Sequence, residues 1–199
     1  MTIFSPLLEY FNLSLFQLIN APAGISVGML ELGIFFARDA VAFFPLVLIL
    51  NWFFCNIETK KVVLHAILSM LMALAINVVI GSFWQHPRPF MMPYGHTFLD
   101  HIANNSFPSD HMSLVSAISF SLIVSGILCL QGMVLFVLSL MIAWGRIYLG
   151  VHFPLDMLAS LMVAAISTTA SQRCNKLVDK VFADLSAVYC VVRYRHKKG

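Results

Sequence analysis

The chain is short of charge. Its 199 residues include only 12 Lys plus Arg and nine Asp plus Glu, 11% of the sequence, where a soluble domain carries about 25%. So few charged groups cannot cover a globule of this size in water, and 60% of the residues are hydrophobic, which excludes an ordinary soluble fold. Cysteine is scarce as well. Cys55, Cys129, Cys174 and Cys190 show no CxxC pattern or paired spacing, so they are expected to be unpaired apolar fillers and not a disulfide framework or metal cluster. No Lys or Arg precedes Arg38, so the positive n-region of a cleaved signal peptide is missing and the N-terminus is expected to be kept. Internal repeats, low-complexity runs and linkers are also absent, which points to a single domain over 1–199.

What is present is a series of apolar runs. Spanning a bilayer takes roughly 20 apolar residues. One run covers 40–55 and extends back through GIFFA; others cover about 62–84, 112–130, 133–148 and 155–170. Gln131 and Gly132 alone separate the third from the fourth. Residues 1–24 are interrupted by Glu9, Asn12, Ser14 and Gln17, which reads as an interfacial amphipathic helix or an additional N-terminal one. The expected fold class is all-α, a polytopic helical membrane protein with five or six transmembrane helices.

The basic residues orient these runs. Lys60 and Lys61 lie between the first two spans, and Arg173, Lys176, Lys180, Arg193, Arg195, Lys197 and Lys198 form a tail over 173–199. Short basic loops stay cytoplasmic, so five crossings put the tail inside and bring 85–111 and 149–154 together on the outer face. The tail follows the last hydrophobic run, where it suits an anionic leaflet, and nucleic-acid binding is not expected.

Those two outer segments hold most of the unusual polar residues. In HPRPF, two prolines flank Arg88 and forbid a regular helix around it; it is either a phosphate ligand or an Arg snorkelling to headgroups. In FPSDH, Ser109 suits the N-cap of the third span and puts His111 in the first turn, where free N–H groups favour a phosphate; simple capping by Ser109 and Asp110 is the other reading. In GRIYLGVHFPLD, His152 precedes a helix opened by Pro154, with Asp156 four residues on. A carboxylate there can fix the imidazole tautomer so that the other nitrogen presents its lone pair, although H-x-x-x-D alone is more often structural. Arg146 can reach the same pocket. Arg38 and Asp39 read as a neutralising pair at the outer end of the first span, and His96, Asp100 and His101 as loop polarity, a lid or a metal site.

Taken in order, RP, then PSDH, then R-x5-H-x3-D resembles the type 2 phosphatidic acid phosphatase (PAP2) family, and the forms HPRPF and FPSDH resemble its bacterial bacitracin-resistance branch. The resemblance implies a PAP2-like helical bundle. It also implies an integral-membrane phosphoric anhydride hydrolase converting undecaprenyl pyrophosphate to undecaprenyl phosphate at the outer face of the bacterial inner membrane through a phosphohistidine. Its partners would be that polyprenyl lipid and membrane lipids. It implies His152 as nucleophile, Asp156 as its orienting carboxylate, His111 as general acid, and Arg88, Arg146 and Ser109 as phosphate ligands, with no metal or cofactor required. Three positions depart from the family pattern. Gly81 stands where a Lys is common, Asp110 where Gly is, and Gly145 where Ser is; His86 or Arg38 are auxiliary candidates to replace the missing charge, and Asp110 to bind a cation or tune His111. Alternatives are a phosphatase of another phospholipid, a lipid phosphotransferase within the same fold, and an anion transporter.

Overall fold

The structure is a computed structural model describing residues 5–92 and 94–196, with side chains described as far as residue 187. Among the described residues there are seven helices and no strand. They are α1 (Pro6–Ile19), α2 (Val27–Phe54), α3 (Ile57–Phe83), α4 (Asp110–Val124), α5 (Cys129–Tyr148), α6 (Pro154–Gln172) and α7 (Asn175–His196). Helix α2 is not uniform: a π turn at Phe35–Asp39 and a 3-10 turn at Ala40–Ala42 interrupt it.

Four helices, α2, α3, α5 and α6, are long and apolar enough to cross a membrane. Helix α4 has 15 residues, too few to span alone at 1.5 Å per residue. It runs through the inside of the bundle to the end that holds Lys61, burying Met112, Val115, Ile118 and Leu122 together with Ser113, Ser116, Ser119 and Ser121. Enclosure by other helices is what lets so many hydroxyls sit in an apolar run. Helices α3, α4 and α6 meet through Ala73, Ala117, Val163 and Ala164. Small side chains of this kind let helix backbones approach where lipid removes the usual hydrophobic drive.

The expected break at Gln131 and Gly132 falls elsewhere. Helix α4 stops at Val124, Gly126 turns the chain at φ +71°, and α5 already contains Gln131 and Gly132. Gly132 serves packing, because a Cβ there would lie 2.6 Å from the Ile123 backbone nitrogen. The basic tail is helical from Asn175 to His196. Its Val178 is buried, and Asp179 Oδ1 meets Lys61 Nζ at 2.9 Å.

At the opposite end three pieces converge. The 84–109 segment joins α3 to α4, the 149–153 turn joins α5 to α6, and α1 packs over both. Helix α1, with 14 residues, is too short to span; it buries Asn12 and Phe16 and exposes Leu7, Tyr10, Phe11 and Leu18. Asn20, just beyond it, donates to the carbonyls of His96 (2.9 Å) and Tyr148 (3.1 Å), clasping the two outer segments.

Candidate active site

The turn between α5 and α6 is built by Gly150 and Pro154. Gly150 takes φ +78° where the chain leaves α5, and a Cβ there would collide with the His96 carbonyl oxygen. Pro154 opens α6, where its missing N–H costs nothing. Asp156, in the first turn, reaches back to accept from the Phe153 N–H at 2.9 Å. The same oxygen, Oδ2, lies 3.1 Å from His152 Nδ1. Helix capping and imidazole orientation are thus one geometric event.

A third donor reaches that oxygen. Ser106 Oγ donates a short hydrogen bond to Asp156 Oδ2 and lies 3.2 Å from His152 Nδ1. Ser106, His152 and Asp156 are all buried.

Arg88 closes the other side of the imidazole. Its backbone is extended between two prolines, at φ −76° and ψ 159°. Its Nε donates to Asn104 Oδ1 (2.9 Å), Nη2 to the Asn105 carbonyl (3.1 Å), and Nη1 to the Val151 carbonyl (3.0 Å) and to His152 Nε2 (2.9 Å). A guanidinium has no acceptor, so Nε2 must carry the lone pair and Nδ1 the proton. That tautomer is the one the carboxylate requires. Burial, with Arg146 and Arg88 adding to it, holds the His152 pKa well below the usual histidine range, so the ring is neutral at neutral pH.

Arg146, on the last turn of α5, is also buried. It donates from Nη1 to the Ala37 carbonyl (2.9 Å), where the π turn loosens the ladder of α2, and from Nη2 to His101 Nε2 (3.2 Å). Its Nε has no hydrogen-bond partner among the described residues. His101 donates from Nδ1 to the Ile102 carbonyl at 3.1 Å, and burial lowers its pKa. Gly145 lets α2 pack closely beside this contact, since a Cβ would lie 3.0 Å from Ala37 N and Gly33 O.

The remaining expected residues divide. Ser109 caps α4, accepting from Met112 N at 3.5 Å, while its own N–H donates to Ser160 Oγ at 2.9 Å. His111 stands in the first turn of α4, with Arg146 and Arg88 as charged neighbours and His101 beside them. Asp110 turns to α3, accepting from Asn77 Nδ2 at 2.9 Å. His86 is buried against the Phe153 ring and lies 3.8 Å from Glu9 Oε2; burial lowers its pKa and Glu9 opposes the shift. Arg38 does not join the cluster: its side chain is 65% exposed and pairs with Asp39 at 2.7 Å. The space beside Gly81 is filled by Asn105, whose Nδ2 would lie 3.0 Å from a Cβ there.

Ser106, Asn104, Asn105, Asn12 and the contact of His101 with Arg146 were not read from the sequence. The nearest signal was the run Asn104-Asn105-Ser106 directly before FPSDH. A neutral imidazole with an outward lone pair, beside two buried guanidiniums, can bind an oxyanion and attack its central atom.

Comparison with known proteins shows the family. The Escherichia coli protein YbjG is 36% identical over 166 residues, 83% of each chain. Undecaprenyl-diphosphatase BcrC of Bacillus subtilis is 32% identical over 155 residues, 78% of this chain and 79% of its own. The crystal structure of Aquifex aeolicus LpxE superposes with a TM-score of 0.69 at 27% identity, covering 87% of this chain and 99% of that one. The PAP2 superfamily pattern matches residues 62–178, a stretch that takes in Arg88, Ser109, His111, Arg146, His152 and Asp156, and the chain belongs to that superfamily.

Proposed function

We propose that the protein is an undecaprenyl pyrophosphate phosphatase of the bacterial inner membrane, acting as one domain and releasing phosphate at the outer face. The observation that carries the chemistry is the placement of His152 Nε2 under Arg88, with Nδ1 on Asp156. The substrate follows the BcrC relative and the bacitracin-resistance form of the motifs.

In the first step His152 Nε2 attacks the terminal phosphorus, and the bond to the bridging oxygen breaks. Arg88 and Arg146 take up the charge on the equatorial oxygens, with Ser109 and the N-terminal N–H groups of α4 beside them. His111, protonated when the anionic substrate binds between it and the arginines, gives its proton to the departing lipid phosphate. In the second step His111 accepts a proton from water, whose oxygen attacks the phosphohistidine and frees Nε2. The arginines supply the positive charge that a metal would otherwise bring. The basic residues at the far end of the bundle, Lys60, Lys61 and those of α7, support a cytoplasmic placement for that end and hence an outward-facing site.

Purified protein in detergent, supplied with undecaprenyl pyrophosphate labelled on its terminal phosphate, is expected to release free labelled phosphate. His152→Ala is expected to release none. Near wild-type turnover by that variant would sink the mechanism, and label appearing on a lipid acceptor would make the protein a phosphotransferase.

A further inference from the structure

We infer that Ser106 is a positioning residue for this reaction, its hydroxyl locking the His152 and Asp156 pair to the segment that carries Arg88. The inference rests on the reading of His152 as nucleophile.

A fully buried hydroxyl outside a helix needs partners. Those of Ser106 are the two groups whose mutual geometry the chemistry depends on. Its single proton goes to Asp156 Oδ2, leaving a lone pair toward the Nδ1 proton of His152, 3.2 Å away. That proton is therefore shared between Oδ2 at 3.1 Å and Oγ at 3.2 Å, and the three groups close a triangle.

The hydroxyl is itself held. Ser106 N donates to the His86 carbonyl at 2.8 Å, two residues from Arg88. Its neighbours Asn104 and Asn105 accept from Arg88 Nε and Nη2. Three consecutive residues thus touch the guanidinium, the imidazole and the carboxylate. Arg88 sits 64 residues from His152 in sequence, and this run ties the two reacting sides together.

Without the hydroxyl, Nδ1 would keep one partner, an oxygen that also serves the Phe153 N–H, and once Arg88 releases Nε2 to the substrate the ring could turn Nε2 away from the phosphorus. More of the carboxylate charge would also fall on the imidazole, making the imidazolium easier to form. The groups facing His152 are Asp156 from α6, Arg88 and His101 from the 84–109 segment, Arg146 from α5 and His111 from α4, with Glu9 and His86 beyond the Phe153 ring. None of them changes in the variant.

The test uses full-length Ser106→Ala and Ser106→Thr in detergent with undecaprenyl pyrophosphate, measuring kcat and KM across pH. Loss of a hydrogen bond to a charged group predicts a kcat about ten- to a hundredfold lower for Ser106→Ala. KM should stay within about threefold, because the hydroxyl touches no substrate atom. The acid limb of kcat should move up by about half a pH unit. Ser106→Thr keeps the O–H and should keep the wild-type limb even if its rate falls. If Ser106→Ala does not fold, as judged by its melting curve, Ser106→Cys preserves the volume with a weak donor and is read for the same limb. A wild-type limb in Ser106→Ala or Ser106→Cys, or one identical change in alanine and threonine variants, would overturn the inference. Activity remaining in His152→Ala would instead overturn the nucleophile reading itself.

Discussion

Replacing Asp156 by Asn is the sharpest test of the imidazole geometry. The substitution keeps the size and leaves an oxygen that can still accept from the Phe153 N–H and the Ser106 hydroxyl, so the cap and the fold should survive. What it removes is the negative charge 3.1 Å from His152 Nδ1. As Nε2 attacks phosphorus the ring becomes cationic, and that charge has its nearest counter-charge at Asp156. With an effective dielectric of about 20, a full charge at this distance is worth about 5 kcal/mol. A half-developed charge in the transition state keeps about half of that. At 1.36 kcal/mol per tenfold in rate, kcat should fall by between about a hundredfold and ten-thousandfold. The assay is phosphate release from undecaprenyl pyrophosphate, beside a melting curve to establish folding. A folded Asp156→Asn protein with kcat within about threefold of wild type would refute the claim that this carboxylate stabilises the attacking imidazole.

Two further outcomes are expected. The proposed nucleophile must be neutral, and burial together with Arg146 and Arg88 lowers the His152 pKa. The neutral form therefore persists as pH falls through 6.5, and the acid limb of kcat/KM should lie below that value; a limb at or above it would contradict the arrangement. Asn12→Ala removes the acceptor 3.1 Å from the Leu155 N–H in the first turn of α6. Losing such a cap costs about 1 kcal/mol, and the melting temperature should drop by about 2–4 °C, with an unchanged melting curve counting against a structural role for α1.

The residues proposed to bear the chemistry were legible because they follow local rules. His152 and Asp156 are four apart across a helix start, Arg88 is pinned by its own prolines, and Ser109 and His111 open a helix. The supporting residues were not, because their partners are remote. Ser106 meets Asp156 across 50 residues, and Asn12 meets Leu155 across 143. No periodicity encodes such a meeting. The fold shows the same division. Long apolar runs marked the spans, but the polarity of Gln131 drew the break away from Ser125 and Gly126, where the turn falls. The charges of the C-terminal segment hid an amphipathic helix whose Val178 packs inward. Gly81 and Gly145 looked like losses from the family pattern; in the fold, Asn105 fills the space beside one and α2 packs against the other.

The hydrogen bond from Arg88 to His152 Nε2 has a consequence for selectivity. Any electrophile that reaches the lone pair must first displace the guanidinium N–H. A neutral ester or anhydride offers that N–H only an uncharged carbonyl oxygen, a weaker acceptor than an anionic one, and the exchange is poorly repaid. A phosphate brings its own oxygens, so the donor lost by the imidazole is regained by the substrate at the moment of approach. The proposed nucleophile is thus masked best against partners that lack an anionic oxygen to take up the released N–H, and discrimination begins before any bond to phosphorus is made.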